Sequence, residues 1–201
     1  VCVVRGMEPA SLRVYSMHAS VLGTYKSGVF DESAAEIGAF DPATNRFFVT
    51  NSNDSAVDVL DLSDPASPSL ETSIVMPEAL VGSPNSVAVS SNGILAVACS
   101  DGFVMLYSTQ TLNVIYPVRV GALPDMVAFA PDGNTILVAN EGEPADDYSS
   151  DPEGTVSIID ISAGPTKPQV ATVDFRDFNV GGARAAELPD GVRIFGNAGR
   201  T

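Results

Sequence analysis

Three polar residues, Glu36, Asn85 and Asp125, each stand immediately before a short apolar run, with a spacing of roughly 40 to 50 residues. Each side chain carries oxygen atoms, which are the ligands that hard cations such as calcium prefer. If the three apolar runs are strands around one channel, these side chains share one rim and are candidate metal ligands. The simpler interpretation is that each residue caps the start of its strand or binds a water molecule. The sequence leaves both open.

A second set of candidate calcium ligands lies in an acidic loop between Asn140 and Gly154. So many like charges repel one another unless they are solvated or neutralised, and calcium favours flexible carboxylates. The ligand spacing and the position of the glycine do not fit an EF-hand. The loop is longer than the matching loops at residues 52–56 and 100–102, which indicates a role beyond connection. A solvated acidic loop without a metal is the competing interpretation. The carboxylates are those of Glu141, Glu143, Asp146, Asp147, Asp151 and Glu153.

Residues for nucleophilic catalysis are not visible in the sequence. The one histidine, His18, has no evident serine or aspartate companion. There is no Gly-x-Ser-x-Gly elbow, no phosphate-binding glycine loop and no Cys/His metal spacing. We therefore assign no catalytic residue and expect a binding or structural protein rather than an enzyme.

The elements that would position the candidate ligands belong to a sequence repeat. Each copy has an apolar run, a turn of Pro, Asn, Asp or Gly, a second apolar run and, after a polar loop, a third. The first two runs lie within residues 37–51, 86–98 and 126–140, and the third runs lie at 57–62, 103–107 and 156–161. Self-similarity at this period, with several strands in each unit, is typical of β-propeller blades. The sequence therefore predicts an all-β fold, a β-propeller of four-stranded antiparallel blades.

The repeat also predicts where the blades begin and end. We place the outer strands of one blade at residues 12–25, complete blades at about 36–76, 85–118 and 125–173, and the start of a further blade at 187–201. Proline-containing connectors at the same place in two blades support this, because proline ends a strand and blocks pairing at its edge. Three to four blades do not close a ring. We therefore expect the chain to cover roughly half of a ring that other protein chains, or missing blades of the same protein, complete.

Composition excludes some classes of function. With 25 acidic and 10 basic residues the net charge is −15, so a nucleic-acid-binding surface is not expected. The charge suits a protein that handles cations in a saline medium, although solubility alone explains it equally well. No apolar run is long enough to span a bilayer. Neither end resembles a natural terminus, so we expect a piece of a longer protein.

Two further sequence features bear on the cellular compartment. Asn53 begins the sequence Asn-Asp-Ser, an acceptor for N-glycosylation that is used only if the chain is secreted in a eukaryote. Cys99 lies in an apolar run and is expected to be a core residue, whereas a partner for Cys2 cannot be deduced. Two cysteines do not determine the redox compartment.

Longer motifs lie at residues 23–37, 57–65, 123–127, 138–144, 151–154 and 191–195. Together they resemble the choice-of-anchor I family of secreted or surface-anchored β-propellers, which includes proteins labelled mesenchyme-specific cell surface glycoprotein. The resemblance implies a seven-bladed-type propeller of the lactonase/YncE-like kind, exported and held at the cell surface or in an extracellular matrix. It supplies no agreed catalytic residues.

From the residues and the resemblance together we expect an extracellular or cell-surface propeller that acts as a calcium-stabilised structural, adhesive or binding module. The alternative is a metal-dependent hydrolase of the lactonase/phytase-like propeller type. In that enzyme a cation held by Glu36, Asn85 and Asp125 would polarise the carbonyl of a lactone or the phosphoryl group of a phosphoester. A subunit of a surface layer or filament is a third hypothesis, which the sequence does not separate from the first.

Overall fold

In this computed structural model, the described residues are 19–30, 34–147 and 149–189. They form three four-stranded sheets, and each sheet is an antiparallel meander in chain order. The prediction of an all-β protein with propeller-like four-stranded blades is therefore confirmed. Sheet 1 contains β1 (Gly38–Asp41), β2 (Arg46–Asn51), β3 (Ala56–Asp61) and β4 (Ser69–Val75). Sheet 2 contains β5 (Pro84–Val89), β6 (Ile94–Cys99), β7 (Phe103–Ser108) and β8 (Val114–Arg119). Sheet 3 contains β9 (Pro124–Phe129), β10 (Thr135–Asn140), β11 (Thr155–Asp160) and β12 (Gln169–Val173).

Local sequence explains why the strands turn where they do. Between β5 and β6, and again between β9 and β10, a glycine at positive φ closes the hairpin: Gly93 at 77° and Gly133 at 68°. A residue with a Cβ adopts this backbone conformation only with strain. Between β1 and β2, the Asp41 carboxylate accepts the amide N–H of Ala43 at 3.0 Å and the hydroxyl of Thr44 at 2.9 Å. Each turn thus fixes the register of the two strands on either side.

Alternation along β6 shows how the sheets stack. Leu95, Val97 and Cys99 belong to a buried cluster shared with sheet 1, whereas Ala96 and Ala98 belong to a cluster shared with sheet 3. Successive side chains of a strand point to opposite faces. Sheet 2 is therefore covered on both faces, which explains why all six residues of β6 are buried and why the strand is apolar throughout rather than alternating.

The outer faces of the stack differ. Residues 25–30 and 34–35 lie over sheet 1, where they line a cavity of about 570 Å³ together with Phe47, Val49 and Leu60. In contrast, the face of sheet 3 that points away from sheet 2 leaves Leu137 43% exposed. We call this surface the open face. The strand registers place on it the apolar Met126, Ala128, Leu137, Ala139, Val156, Ile158, Ala171 and Val173, with the polar Thr135, Asp160 and Gln169 at one end.

Some parts of the chain differ from expectation or lie outside the described residues. Residues 21–25 were expected in an outer strand but form none, because they pair with no strand among the described residues; Val21 is 86% exposed. Single 3₁₀ turns occupy Arg176–Phe178 and Ala185–Glu187, and a four-residue α-helix lies at Glu78–Val81. Residues 12–18, with His18, and 190–201 lie outside the described residues, as does Cys2. Across the described part of the chain, no helix has the length and hydropathy needed to span a membrane.

Candidate functional site

The register of the sheets places Glu36, Asn85 and Asp125 at equivalent positions. In each sheet a valine in the middle of the second strand (Val49, Val97 or Val138) pairs with one residue of the first strand. The candidate residue lies two positions before that paired residue. The first strands β1, β5 and β9 are neighbours in space, since β5 contacts both of the others. The three residues therefore recur at one end of the innermost strands, as the repeat predicted.

Their side chains have different surroundings. Asn85 is half-buried, and its amide nitrogen donates a hydrogen bond to the carbonyl oxygen of Pro124 at 3.0 Å. Glu36 and Asp125 are exposed. Asn85 therefore connects sheet 2 to sheet 3, while the two carboxylates face solvent.

A similar bond connects sheets 1 and 2. The hydroxyl of Ser52 donates to the carbonyl oxygen of Pro84 at 2.8 Å. In both cases the acceptor is the proline that begins the innermost strand of the following sheet. The amide N–H of Val127 also donates to the Ser86 hydroxyl at 3.3 Å. Polar side chains at this end of the sheets thus satisfy backbone groups of the next sheet, a function that the sequence analysis did not identify.

The acidic loop is partly ordered by its own contacts. The amide N–H of Ala145 donates to the carbonyl of Ser150 at 2.8 Å. The Asp147 carboxylate accepts the amide N–H of Ser149 at 2.9 Å, and hydrogen bonds from Ser149 lower the pKa of Asp147. Glu153 forms an ion pair with Arg176 at 2.8 Å. At least one carboxylate of the loop is thus already neutralised by a side chain of this chain. Of the others, Glu141, Glu143 and Asp146 are exposed and Asp151 is half-buried.

Among residues 19–30, 34–147 and 149–189, no group of three or more His, Cys, Asp or Glu side chains is arranged to hold a metal ion. The carboxylates of the acidic loop are close in sequence but do not converge on one point. A cation at this loop would therefore have to draw its ligands together on binding.

Two equivalent asparagines, Asn51 and Asn140, end the second strands of sheets 1 and 3, and the sequence analysis did not identify their role. The amide nitrogen of Asn51 donates to the carboxylate of Asp58 at 3.1 Å, and that of Asn140 donates to the hydroxyl of Ser157 at 2.9 Å. The side-chain oxygen of Asn51 accepts the N–H of Asp54, whereas the oxygen of Asn140 is buried and lacks a hydrogen-bond partner. The sequence signal that could have identified them is an asparagine that recurs at the end of the second strand.

A polar cluster, in which Asp41 and Thr109 are buried, joins the opposite ends of sheets 1 and 2. The guanidinium of Arg46 donates to the carbonyl of Thr109 at 2.8 Å and pairs with Glu71. Burial raises the pKa of Asp41, but hydrogen bonds from Thr109 and from the turn outweigh it, so that the pKa lies below its ordinary value. Asp41 is therefore ionised at neutral pH and accepts bonds from both sheets.

Cys99 is a core residue, as expected. It is fully buried with a free thiol, next to Met76 and Tyr107. Burial, with a smaller contribution from Asp101, raises the pKa of the Cys99 thiol to about 12. A thiol with so high a pKa is not a nucleophile at neutral pH.

Asn53 lies in a one-turn 3₁₀ helix, Ser52–Asp54, and is exposed. Its amide nitrogen donates to the neighbouring Asp54 carboxylate at 3.0 Å. The structure therefore leaves the acceptor nitrogen on the surface of a tight turn, where a glycan would extend into solvent. Glycosylation itself stays a prediction.

Comparison with known proteins gives a family and a fold. The model of the choice-of-anchor I domain matches residues 36–201. No curated protein matches the sequence. A candidate 6-phosphogluconolactonase from Bacteroides uniformis is similar in structure, with a TM-score of 0.56 and 14% identity over 70% of this chain and 41% of that chain.

Two further solved structures agree on the architecture. The hydrazine synthase of Kuenenia stuttgartiensis has a TM-score of 0.53 at 20% identity, over 68% of this chain and 37% of that chain. The β-propeller domain of Cps50 from Myceliophteria thermophila has a TM-score of 0.51 at 14% identity, over 69% of this chain and 39% of that chain. The chain thus spans less than half the length of each of these structures. At such low identity the likeness shows the fold alone.

Proposed function

The chain belongs to the choice-of-anchor I domain family, and on that premise we propose that it is part of a non-enzymatic β-propeller that acts outside the cell or at its surface as a structural, adhesive or binding module. The observation that carries this proposal is the family match, because it spans all three sheets. The secreted and surface-anchored character of the family is the reason for proposing an extracellular location.

The surroundings of the candidate residues support a binding module. Asn85 is engaged with Pro124 of the next sheet, and the one cysteine in the described residues has a pKa of about 12. These groups stabilise the stack of sheets. What remains exposed at the rim is acidic, namely Glu36 and Asp125.

Charge indicates the chemistry of the partner. The net charge of −15 repels anions, including phosphoesters, and attracts cations and basic surfaces. We therefore propose that the partner presents a positively charged surface. Such binding is expected to weaken as salt is added, because salt screens exposed charges over about 10 Å at 0.1 M.

Calcium is a separate part of the proposal. It is supported by the density of exposed carboxylates in the acidic loop and by the preference of calcium for flexible oxygen ligands. Since no metal-holding group is assembled in the described residues, we propose weak binding that orders the loop.

Two measurements test the proposed function. Labelling of intact cells with a membrane-impermeant biotin reagent is expected to modify the native protein, and protection until the cells are lysed would refute the extracellular location. The native protein, supplied with calcium, is expected to turn over no ester, lactone or phosphoester substrate. Turnover that is lost in Asp125→Ala would refute the binding module and support the metal-dependent hydrolase.

A further inference from the structure

The outer edge strands of the three sheets differ in how they are protected. β4, β8 and β12 are the last strands of their sheets, so among the described residues each pairs on one side only. An edge strand offers unpaired backbone N–H and C=O groups to any extended segment, and proteins commonly protect it with a charge, a proline or a β-bulge. An edge without these features is a site for further pairing.

Two of the three edges carry such protection. In β4 the register shifts between Val59 and Leu60 of the neighbouring strand, which leaves the charged Glu71 as the extra residue of a bulge. In β8, Pro117 lacks an amide N–H, Arg119 adds a charge, and the strand also carries a bulge. These two strands are therefore poor templates for a further strand.

The third edge strand, β12, has none of these features. Its five residues, Gln169–Val173, contain no charge and no proline, and they pair with β11 without a register shift. All five are exposed. Val170, Thr172 and Val173 are β-branched, which suits an extended and partly covered strand. This edge is therefore suited to binding an extended segment through main-chain hydrogen bonds.

The charges around β12 favour a second copy of this chain as the partner. Two copies with a net charge of −15 repel one another over most of their surfaces, but β12 itself carries no charge. The exposed Lys167 precedes the strand and the exposed Asp174 follows it. Antiparallel pairing of two such strands brings Lys167 of each copy near Asp174 of the other. The contact is thus complementary in charge at both ends.

We propose that β12 pairs antiparallel with β12 of a second copy, so that the two copies of sheet 3 form one continuous sheet across a two-fold axis. Pairing of all five residues requires the axis to pass through the middle residue, Ala171. This register places Val170 opposite Thr172 of the second copy. The contact is isologous, because both copies contribute the same strand. It goes beyond the proposed function and does not depend on it.

Two double variants of the full chain test this arrangement. Val170→Lys with Thr172→Lys places lysine opposite lysine and should prevent the contact, since like charges directly opposite one another are destabilising. Val170→Lys with Thr172→Glu places lysine opposite glutamate and should retain it. The two variants change the same exposed positions, so they are matched in any effect on the fold. Size-exclusion chromatography with light scattering, with a reductant present, measures the mass at increasing concentrations.

The original protein and the lysine–glutamate variant are expected to form dimers, with twice the mass of the lysine–lysine variant. An original protein that stays monomeric up to millimolar concentration would overturn the proposal. Two dimeric variants would overturn it as well, because the copies would then associate through another surface, such as the open face. Two monomeric variants would refute the antiparallel register. None of these results bears on the extracellular location or on calcium, so the proposed function is tested separately.

Discussion

The side-chain amide of Asn85 donates a hydrogen bond of 3.0 Å to the backbone carbonyl of Pro124, and this bond joins the innermost strands of two consecutive sheets. One sheet earlier, the equivalent carbonyl of Pro84 accepts a hydrogen bond of 2.8 Å from the hydroxyl of Ser52, which lies in the turn after β2. A residue whose position suggested a metal ligand thus also has a structural function. In both cases a side chain of the preceding sheet donates to the carbonyl of the proline that begins the next inner strand.

Replacing Asn85 with alanine is expected to lower the free energy of unfolding by about 1 kcal/mol, because a half-buried carbonyl loses its donor. Denaturant unfolding measures the change. Asp125→Ala is the matched control, since Asp125 holds the equivalent position in the next sheet but is exposed, and its effect is expected to stay within about 0.5 kcal/mol. Equal losses in the two variants would contradict the structural function of Asn85.

The Cys99 thiol is expected to resist alkylation in the folded protein. Its pKa of about 12 leaves almost no thiolate at about pH 8, and the side chain is fully buried. In a Cys2→Ser background, mass spectrometry should find no adduct with iodoacetamide until denaturant is added, when one thiol reacts. Rapid labelling without denaturant would show that the core between sheets 1 and 2 is open.

Acid is expected to destabilise the contact between sheets 1 and 2 through Asp41. The pKa of Asp41 is lower in the folded protein than in the unfolded chain. Its contribution to stability is therefore present above the unfolded value of about 3.9 and is lost as the pH falls through the folded value. Unfolding measured from about pH 6 downwards should show stability falling below about pH 4.

Asp41→Asn supplies the comparison for that pH series. The amide does not titrate, so the variant should be less stable at neutral pH and should lose less stability on acidification. A variant with the same acid dependence as the original protein would assign the effect to other carboxylates.

Calcium at millimolar concentration is expected to raise the melting temperature, because a ligand that binds only the folded state stabilises it. Glu143→Gln with Asp146→Asn should abolish the increase. The control pair Asp101→Asn with Asp177→Asn removes the same charge from exposed positions outside the loop. This control should still show the calcium-dependent increase in melting temperature. The absence of any increase in the original protein would remove calcium from the proposed function.

Much of the architecture was predictable because blade strands are encoded locally. The runs around Phe40, Val89 and Phe129 alternate or are apolar throughout, and their turns carry Gly, Asn or Asp, so each hairpin is specified by a few adjacent residues. The equivalence of Glu36, Asn85 and Asp125 also followed from the repeat.

The contacts that join the sheets were not predictable in this way. Arg46 reaches Thr109, and Asn85 reaches Pro124, across separations of 63 and 39 residues. No local pattern specifies such partners, since they depend on how one sheet lies on the next. Residues 21–25 show the converse: their β-branched and aromatic side chains favour a strand, but a strand forms only where another strand can pair with it.

Three sheets stack face to face with the middle sheet buried on both sides, and two neighbouring substitutions in β6 probe this arrangement. Leu95 and Ala96 point towards sheets 1 and 3 respectively. A carboxylate on either face would be buried without a partner, at a cost of several kcal/mol that approaches the roughly 5–15 kcal/mol stability of a typical domain. Denaturant unfolding of Leu95→Asp and Ala96→Asp is expected to show severe loss of stability in both, whereas Tyr116→Asp on the outer strand β8 is tolerated. Tolerance of either β6 variant would mean that one face of sheet 2 is exposed, and would contradict the stacked arrangement.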